Sequence, residues 1–300
     1  MTCSICIATY KRSELLKLLL NSLIEQELTD EIKLEIIVVD NDPTESGKPV
    51  FDQYADTEKM SFYYYTQPLK NISLTRNKAV KSATGEYIFF IDDDEIASPS
   101  WVKLMLETME NYKADAVFGR VLSYYGESTP DWIKKSYIFN RPSPPTGTNV
   151  FYTRTGNCLI KASILKQIEG PFDPAYGLTG GEDTHLFSKL QRNGNSFVNC
   201  YEAWVSEFQP PARSKTSYLI KRAFFTGNLS TRRTIEFSRK NRFFTRIKFL
   251  TLSTMFLILS FLLTIICFPN RHYGIYWTTK IASNFGHILA VFNVKIKVYH

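Results

Sequence analysis

The stretch at 85–95, GEYIFFIDDDE, constrains the fold more than any other part of the chain. Five apolar or aromatic residues, led in by a glycine and Glu86, run straight into four consecutive acids. A run this short and this continuously apolar predicts a strand buried on both faces, as in a parallel sheet covered by helices. The acids then fall at the carboxyl end of that strand, where open α/β sheets bind their ligands. Adjacent carboxylates repel one another, so the cluster is costly unless a cation or a donor network offsets it. A hard divalent cation shared between carboxylates and substrate phosphates is the usual occupant. A solvated acidic turn is the plain alternative, and the wholly apolar strand in front argues against it.

The surrounding pattern alternates strands with helices, the signature of a mostly parallel sheet. Strands are expected at 3–9, 34–39, 62–65 and 116–122. Helices are expected from a cap near Ser13 to about Glu27, over 73–83 with Gly85 closing it, over about 99–112 and over 184–192. Residues 123–149 are rich in Pro, Gly, Tyr and Ser and read as a long irregular loop, a length usually reserved for functional loops. Cys3 and Cys6 alternate on one strand and so point to opposite faces, which makes packed thiols the expectation rather than a zinc half-site. Five cysteines, an odd number, fit a reducing compartment.

Charge is distributed unevenly. The net charge is +7, yet residues 212–248 hold eleven Lys and Arg against the single acid Glu236, so the first 211 residues are net acidic. The acidic part reads as the catalytic body and the basic part as an attachment surface. Residues 249–268 then run twenty positions without a charge. As a helix that stretch would be about 30 Å long, the thickness of a bilayer's hydrocarbon core. The basic segment before it is interleaved with aromatic residues, which suits anionic lipid headgroups, and it contains no recognisable nucleic-acid-binding module. Membrane lipids, not nucleic acid, are therefore the expected partner. No signal-peptide pattern precedes the first strand, which places the body on the cytosolic side of an inner membrane by the positive-inside rule. The organisation expected is a catalytic domain at 1–211, a membrane-interface segment at 212–248, a transmembrane helix at 249–268, and a basic tail at 269–300. Within that tail 281–294 is apolar but too short and polar to span comfortably, so a single crossing and a re-entrant hairpin both remain open.

Four motifs in order, Ser4 to Arg12, Ile36 to Asn41, Leu74 to Asn77 and the Asp92 cluster, followed by Gly180-Gly181-Glu182-Asp183, resemble glycosyltransferase family 2. The resemblance covers about the first 210 residues and implies the nucleotide-sugar-binding fold called GT-A, an α/β fold with a mostly parallel central sheet. The stretch from Phe208 to Arg213 and the segment after it resemble the membrane-anchored subgroup that builds bacterial exopolysaccharide repeat units. C-terminal membrane-associated helices are thus expected.

The resemblance also assigns roles. Ala8, Thr9 and Tyr10 would line the nucleotide, with Tyr10 packed on the base. Asp40 would accept a hydrogen bond from the base, and Arg76 would lie along the base or diphosphate. The family's D-x-D falls on Asp92 and Asp94. Asp94 is the expected ligand of Mg²⁺ or Mn²⁺, Asp92 a ribose or metal contact, and Asp93 an alternative in the same nucleotide-binding turn. Many members carry a histidine near the end of the last strand of the catalytic domain; here Glu207 stands in that region. The resemblance therefore leaves metal ligation to Glu207, or diphosphate clamping to Arg213. Asp183 becomes the general base and Glu182 a partner of the acceptor sugar, whereas without the other motifs both would read as acids at a helix N-terminus. Thr155-Gly156-Asn157 is expected to bring a strand edge near the donor sugar, and His185 to be structural. The activity implied is inverting, metal-dependent transfer of a hexose from a nucleoside-diphosphate sugar, of UDP type, to a glycan or glycolipid acceptor. Transfer to polyprenyl phosphate is one alternative, and a catalytically inactive sugar- or nucleotide-binding protein is another.

Overall fold

The computed structural model describes residues 1–135, 139, 141–150, 153–238, 241–267 and 271–296. The first half of the chain runs β1 (Thr2–Thr9), α1 (Ser13–Ile24), β2 (Lys33–Asp40), α2 (Lys48–Phe51), β3 (Met60–Thr66), α3 (Ile72–Ser82), β4 (Tyr87–Asp92), β5 (Glu95–Ala97), α4 (Trp101–Asn111) and β6 (Ala116–Tyr125). It continues with α5 (Asp131–Lys135), β7 (Cys158–Lys161), α6 (Ala162–Lys166), α7 (Glu182–Arg192), β8 (Phe197–Gln209), α8 (Thr216–Glu236), α9 (Arg242–Cys267) and α10 (Arg271–Val291).

Eight strands form one sheet in the order β3-β2-β1-β4-β7-β6-β8-β5. The first four are parallel, while β7 pairs antiparallel with β4 and β6, and β5 antiparallel with β8. The sheet is thus mixed: its parallel half carries the expected strands β1, β2, β3 and β4, whereas the expected strand at 116–122 lies in an antiparallel half added at the β4 edge. Both faces of the parallel half are covered. Ile5, Ile7, Ile36, Val38, Phe89 and Ile91 pack against the leucines of α1 and against Trp101. The alternate residues Cys6, Ile37, Val39, Ile88 and Phe90 pack against α3, Phe172 and the α7 side chains Leu186 and Phe187. Each such side chain contributes about 1.5–3 kcal/mol when fully buried, and the two-sided coverage explains why these strands read as unbroken apolar runs. Cys3 and Cys6 sit in opposite layers as free buried thiols. Burial pushes the Cys3 thiol up to about 12.

Two expectations change in detail. The cap of α1 is Arg12, whose side chain makes no capping bond, so Ser13 is the first helical residue and not the cap. The segment 123–149 is only partly irregular: β6 extends to Tyr125, α5 occupies Asp131–Lys135, and Asn149 bridges to Val198. Positions 136–138 and 140 of that expected loop lie outside the described residues, as does Phe268 at the end of the expected span.

The chain divides into two compact units, Met1–Tyr124 with Phe139–Phe208, and Tyr125–Ile138 with Gln209–His300. The first holds the sheet. The second holds α5 and the helices α8, α9 and α10, where a basic interface segment, a transmembrane helix at 249–268 and a basic tail with a possible second membrane-associated helix were expected. α9 begins at Arg242, seven residues before the uncharged stretch, and α10 is a further helix of 21 residues. Among the described residues α9 is the one helix long and apolar enough to cross a membrane by length and composition.

Candidate active site

Parallel register brings three strand ends together. Ala8 of β1 lies beside Val39 of β2 and Asp92 of β4, and Thr9 lies beside Asp40. The chain turns at once after Asp92, because Asp93 and Asp94 form the turn into β5, whose first residue Glu95 pairs with Glu207 of β8. The acid run is therefore a corner, with Asp93 and Asp94 facing Arg12 while Asp92 faces Arg76.

Asp93 is buried: it accepts hydrogen bonds from Thr9 Oγ1 at 2.9 Å and from the Arg12 guanidinium at 2.8 Å. Arg12 also reaches Asp94 at 3.2 Å. Asp93 thus ties the turn to β1, which accounts for Thr9 and Asp93 as structural partners of one another. Burial raises the Asp93 carboxyl, and Arg12 opposes that rise. The Asp94 carboxyl is pushed up to about 6, first by burial, then by Asp92, with Asp93 and Glu207 adding to it. Glu95 is raised well above its ordinary range by burial and by Asp92.

Across the turn, Arg76 of α3 joins two parts of the sequence 90 residues apart. Its guanidinium donates to Asp92 Oδ1 at 3.0 Å and to Glu182 Oε1 at the start of α7. α3 is aimed by Asn71, whose Oδ1 accepts from the Leu74 amide as an N-cap. α7 starts from Gly180 and Gly181, at φ of +73° and +88°, a left-handed path that glycine adopts without strain. Glu182 is buried, its carboxyl raised to about 7 by burial against the pull of Arg76, and its Oε2 finds no hydrogen-bond partner among the described residues. Asp183, half-buried beside it, accepts from Thr184 through Oδ1. His185 stacks on Tyr176 with ring centroids 4.8 Å apart, a structural role as expected.

Glu207 lies opposite Glu95 in the β5–β8 register. It is ion-paired to Arg141, which also approaches Glu95 at 3.7 Å. Gly156 leaves room here: a Cβ would come within 2.8 Å of Glu95 Oε1 and 3.1 Å of Asp92 Oδ2. Asn157 is a core node, accepting from Trp101 Nε1 and donating to two backbone carbonyls. A cavity of about 460 Å³ opens next to these groups, lined by Arg141, Arg154, Gly156, Asn157, Val150 and Asn199 among others. Arg154 is half-buried. Burial and the neighbouring Arg141 lower its affinity for a proton, while Asp183, Glu207 and Glu95 hold the proton on.

The remaining expected residues fall as follows. Asp40 is fully buried and spent on the chain itself, accepting from the Asp42 and Gly47 amides at 2.9 and 2.8 Å and from Tyr64 Oη at 2.7 Å. Its place at the strand end is as expected, but its bonds shape the loop after β2. The Tyr10 ring carries the Lys70 ammonium 4.8 Å from its centroid. Arg213 belongs to the second unit, where it donates to Gln209 Oε1 at 3.3 Å. Arg12, Arg141 and Arg154 were given no role from sequence. Arg12 alone had a usable signal, its place just past β1; nothing local marks the other two.

Seven acids, Asp92 to Glu95, Glu182, Asp183 and Glu207, thus share this edge with four arginines. Among the described residues no three His, Cys, Asp or Glu side chains converge as ion ligands. The donor set nonetheless fits a divalent cation: hard carboxylate oxygens are in excess over the arginines, and Glu95 Oε1 is buried with no hydrogen bond among the described residues.

An α/β sheet of this order, with acids at the β4 corner and a Gly-Gly-Glu-Asp helix start facing them through Arg76, defines a GT-A-like glycosyltransferase fold. The chain belongs to glycosyltransferase family 2: the family described as "Glycosyl transferase family 2" matches residues 4–168. It is 32% identical over 222 residues to the succinoglycan biosynthesis protein ExoM of Rhizobium meliloti, covering 74% of this chain and 71% of that protein. It is 31% identical over 172 residues to the poly(ribitol-phosphate) beta-glucosyltransferase of Bacillus spizizenii, covering 56% of this chain but only 26% of that longer enzyme. Among solved structures it resembles Staphylococcus aureus TarS 1–349 in complex with UDP, with a TM-score of 0.57 at 18% identity over 98% of this chain and 91% of that one. The same TarS fragment has been solved with UDP-GlcNAc, at a TM-score of 0.55.

Proposed function

We propose that this chain transfers a hexose, with inversion, from a nucleoside-diphosphate sugar of UDP type to a lipid-linked glycan in the assembly of a cell-surface polysaccharide. The observation that carries the reading is the Arg76 bridge. One guanidinium holds an acid of the donor-side corner, Asp92, and an acid of the α7 start, Glu182, so that Asp183 shares a site with the acid cluster. The relatives support it: ExoM is a succinoglycan biosynthesis protein, and TarS has been solved with UDP and UDP-GlcNAc.

In this reading the nucleotide lies along the ends of β1 and β2, by Ala8, Thr9 and Tyr10. Asp94 is the principal ligand of Mg²⁺ or Mn²⁺, with Asp92 and Glu207 beside it. Bound there, the ion supplies stabilisation of the charge that develops on the departing diphosphate. Asp183 takes the proton from the attacking hydroxyl, since Thr184 engages only its Oδ1 and leaves Oδ2 to the acceptor. Glu182, kept in place by Arg76, donates or accepts at the acceptor sugar according to its protonation. The cavity flanked by Arg141 and Arg154 receives the saccharide. The chain acts from the cytoplasmic side of the inner membrane, attached through α9 and the basic residues before it.

A screen of nucleotide sugars with the full chain in detergent or nanodiscs tests this. Metal-dependent release of nucleoside diphosphate from one donor, accelerated by a lipid-linked acceptor, is the expected result. Tight nucleotide binding with no turnover on any donor and acceptor would favour an inactive binding protein. Transfer to bare polyprenyl phosphate would replace the glycan acceptor.

A further inference from the structure

The helices of the second unit contact one another in a way that fixes a topology. The Arg246 guanidinium, in the second turn of α9, donates to the carbonyl of Val291, the last residue of α10, and at 2.7 Å to Asn293 Oδ1 just beyond it. The entrance of α9 and the exit of α10 are thereby latched together, and the two helices run antiparallel. α9 itself buries only Ser253 and Ser260, two small residues seven apart on one stripe. Leu252, Met255, Phe256, Ile258, Phe261 and Ile266 are all exposed. At 100° per residue they cover more than half of the helix circumference. An apolar face that wide has no place in water.

The neighbouring contacts have the same character. Gly227 of α8 and Gly286 of α10 sit at a crossing so close that a Cβ at either would come within 2.2 or 2.1 Å of a facing backbone carbonyl. Asn228 Nδ2 donates to the carbonyls of Gly286 and Val294 at 3.2 and 3.1 Å, and Thr231 Oγ1 meets His287 Nδ1 at 2.6 Å. Small residues with a few polar side chains as glue are how helices associate when lipid removes the hydrophobic drive between them. These contacts fall between residues 283 and 294, so α8 braces the exit half of α10. Its exposed Lys221 and Arg222 belong at the headgroup level. Charge agrees with the latch: Arg242, Arg246 and Lys248 stand at the entrance of α9 and Lys295 past the exit of α10. Within α10, the ammonium of the exposed Lys280 lies over the Tyr276 ring, 5.1 Å from its centroid, a cation–π contact one turn away on the same helix.

We infer that α9 and α10 enter the bilayer together as an antiparallel hairpin latched by Arg246, with acyl chains against the outer face of α9. Both ends lie on the cytosolic side, where their cations are favoured. The inference rests on the membrane attachment proposed above and replaces a single crossing with a return.

The test uses the full chain with Cys267→Ser, the other four cysteines being buried. Single cysteines at Arg242→Cys and Lys295→Cys are treated with a membrane-impermeant maleimide in inverted vesicles and in intact cells. Both are expected to label in inverted vesicles and neither in intact cells, and an Arg246→Cys, Asn293→Cys pair should be joined by a short bismaleimide. Labelling of Lys295→Cys from outside, with Arg242→Cys labelled from inside, overturns the hairpin and leaves attachment standing. A full chain that fails to float with vesicles overturns attachment, and the inserted hairpin with it.

Discussion

The sheet edge of the first unit and the helix crossings of the second are built on opposite principles. The edge crowds charge: seven acids and four arginines meet where β1, β2 and β4 end and α7 begins. The crossings exclude side-chain bulk, through Gly227, Gly286, Ser253 and Ser260. The first arrangement leaves the carboxyls of Asp94, Glu95 and Glu182 holding protons above their ordinary range. The second places one titratable side chain, His287, beside the crossing, where Thr231 bonds it, and is sensitive chiefly to added volume. Crowded carboxyls carry electrostatic tension, whereas close helix crossings carry steric precision.

The largest break in this contrast is expected from Asp94→Ala. If the cluster holds the metal through Asp94, transfer falls by about 10³-fold or more, several kcal/mol of transition-state stabilisation, and manganese-dependent nucleotide binding is lost. Unchanged manganese-dependent binding of nucleoside diphosphate, followed by calorimetry, would remove Asp94 from that role. Asp93→Asn is the comparison variant, and its expected signature is a lower unfolding temperature, because Thr9 and Arg12 both bond that carboxylate.

Asp183→Asn comes next. Turnover should drop by about 10²-fold while the donor KM stays put, the usual worth of a general base. Loss of donor affinity with turnover preserved would make Asp183 a binding residue and pass the base to Glu182.

In the second unit the expected effect is on stability. Gly286→Leu should cost about 1–3 kcal/mol through overpacking against the Phe224 carbonyl, seen as easier denaturation of the purified protein in detergent. A neutral result would mean that α8 and α10 do not approach closely in solution.

The smallest effect is a pH dependence. Folding raises the carboxyl of Glu182 from an ordinary 4.5 to about 7 and that of Asp94 from 3.8 to about 6. The folded state therefore binds more protons than the unfolded one between about pH 4 and 7, and stability declines as pH rises through that window. Glu182→Gln should flatten the upper part of the decline, and Mn²⁺ should stabilise most at the alkaline end. Melting curves at a series of pH values check both; a slope of the opposite sign would show that Arg76 and Arg12 outweigh burial.

Much of the first unit could be read from residue order. The strands at β1, β2 and β4 announced themselves because burial on both faces demands unbroken apolar runs, and the acids after β4 follow from where such sheets bind ligands. β5 was illegible: a three-residue strand inside an acid-led stretch has no periodicity of its own, and only pairing with β8 makes it one. The same pairing sets Glu95 opposite Glu207, a neighbour 112 positions away in the chain. Arg141 and Arg154 were equally hidden, because a lone arginine in a loop looks alike whether it faces water or a carboxylate.

Sequence alone determined what is local or periodic: the strand and helix types, the acid corner, the glycines before Glu182, the uncharged stretch of α9 and the basic lead into it. Tertiary structure decided what depends on through-space neighbours. It buried two of three adjacent aspartates, Asp93 and Asp94, against Arg12, joined Asp92 to Glu182 through Arg76, and spent Asp40 on its own loop. It also folded 271–291 back along α9. The physical reason is range. Propensity and hydrophobic period act over a few residues, whereas desolvation and ion pairing depend on distances that only the folded chain creates.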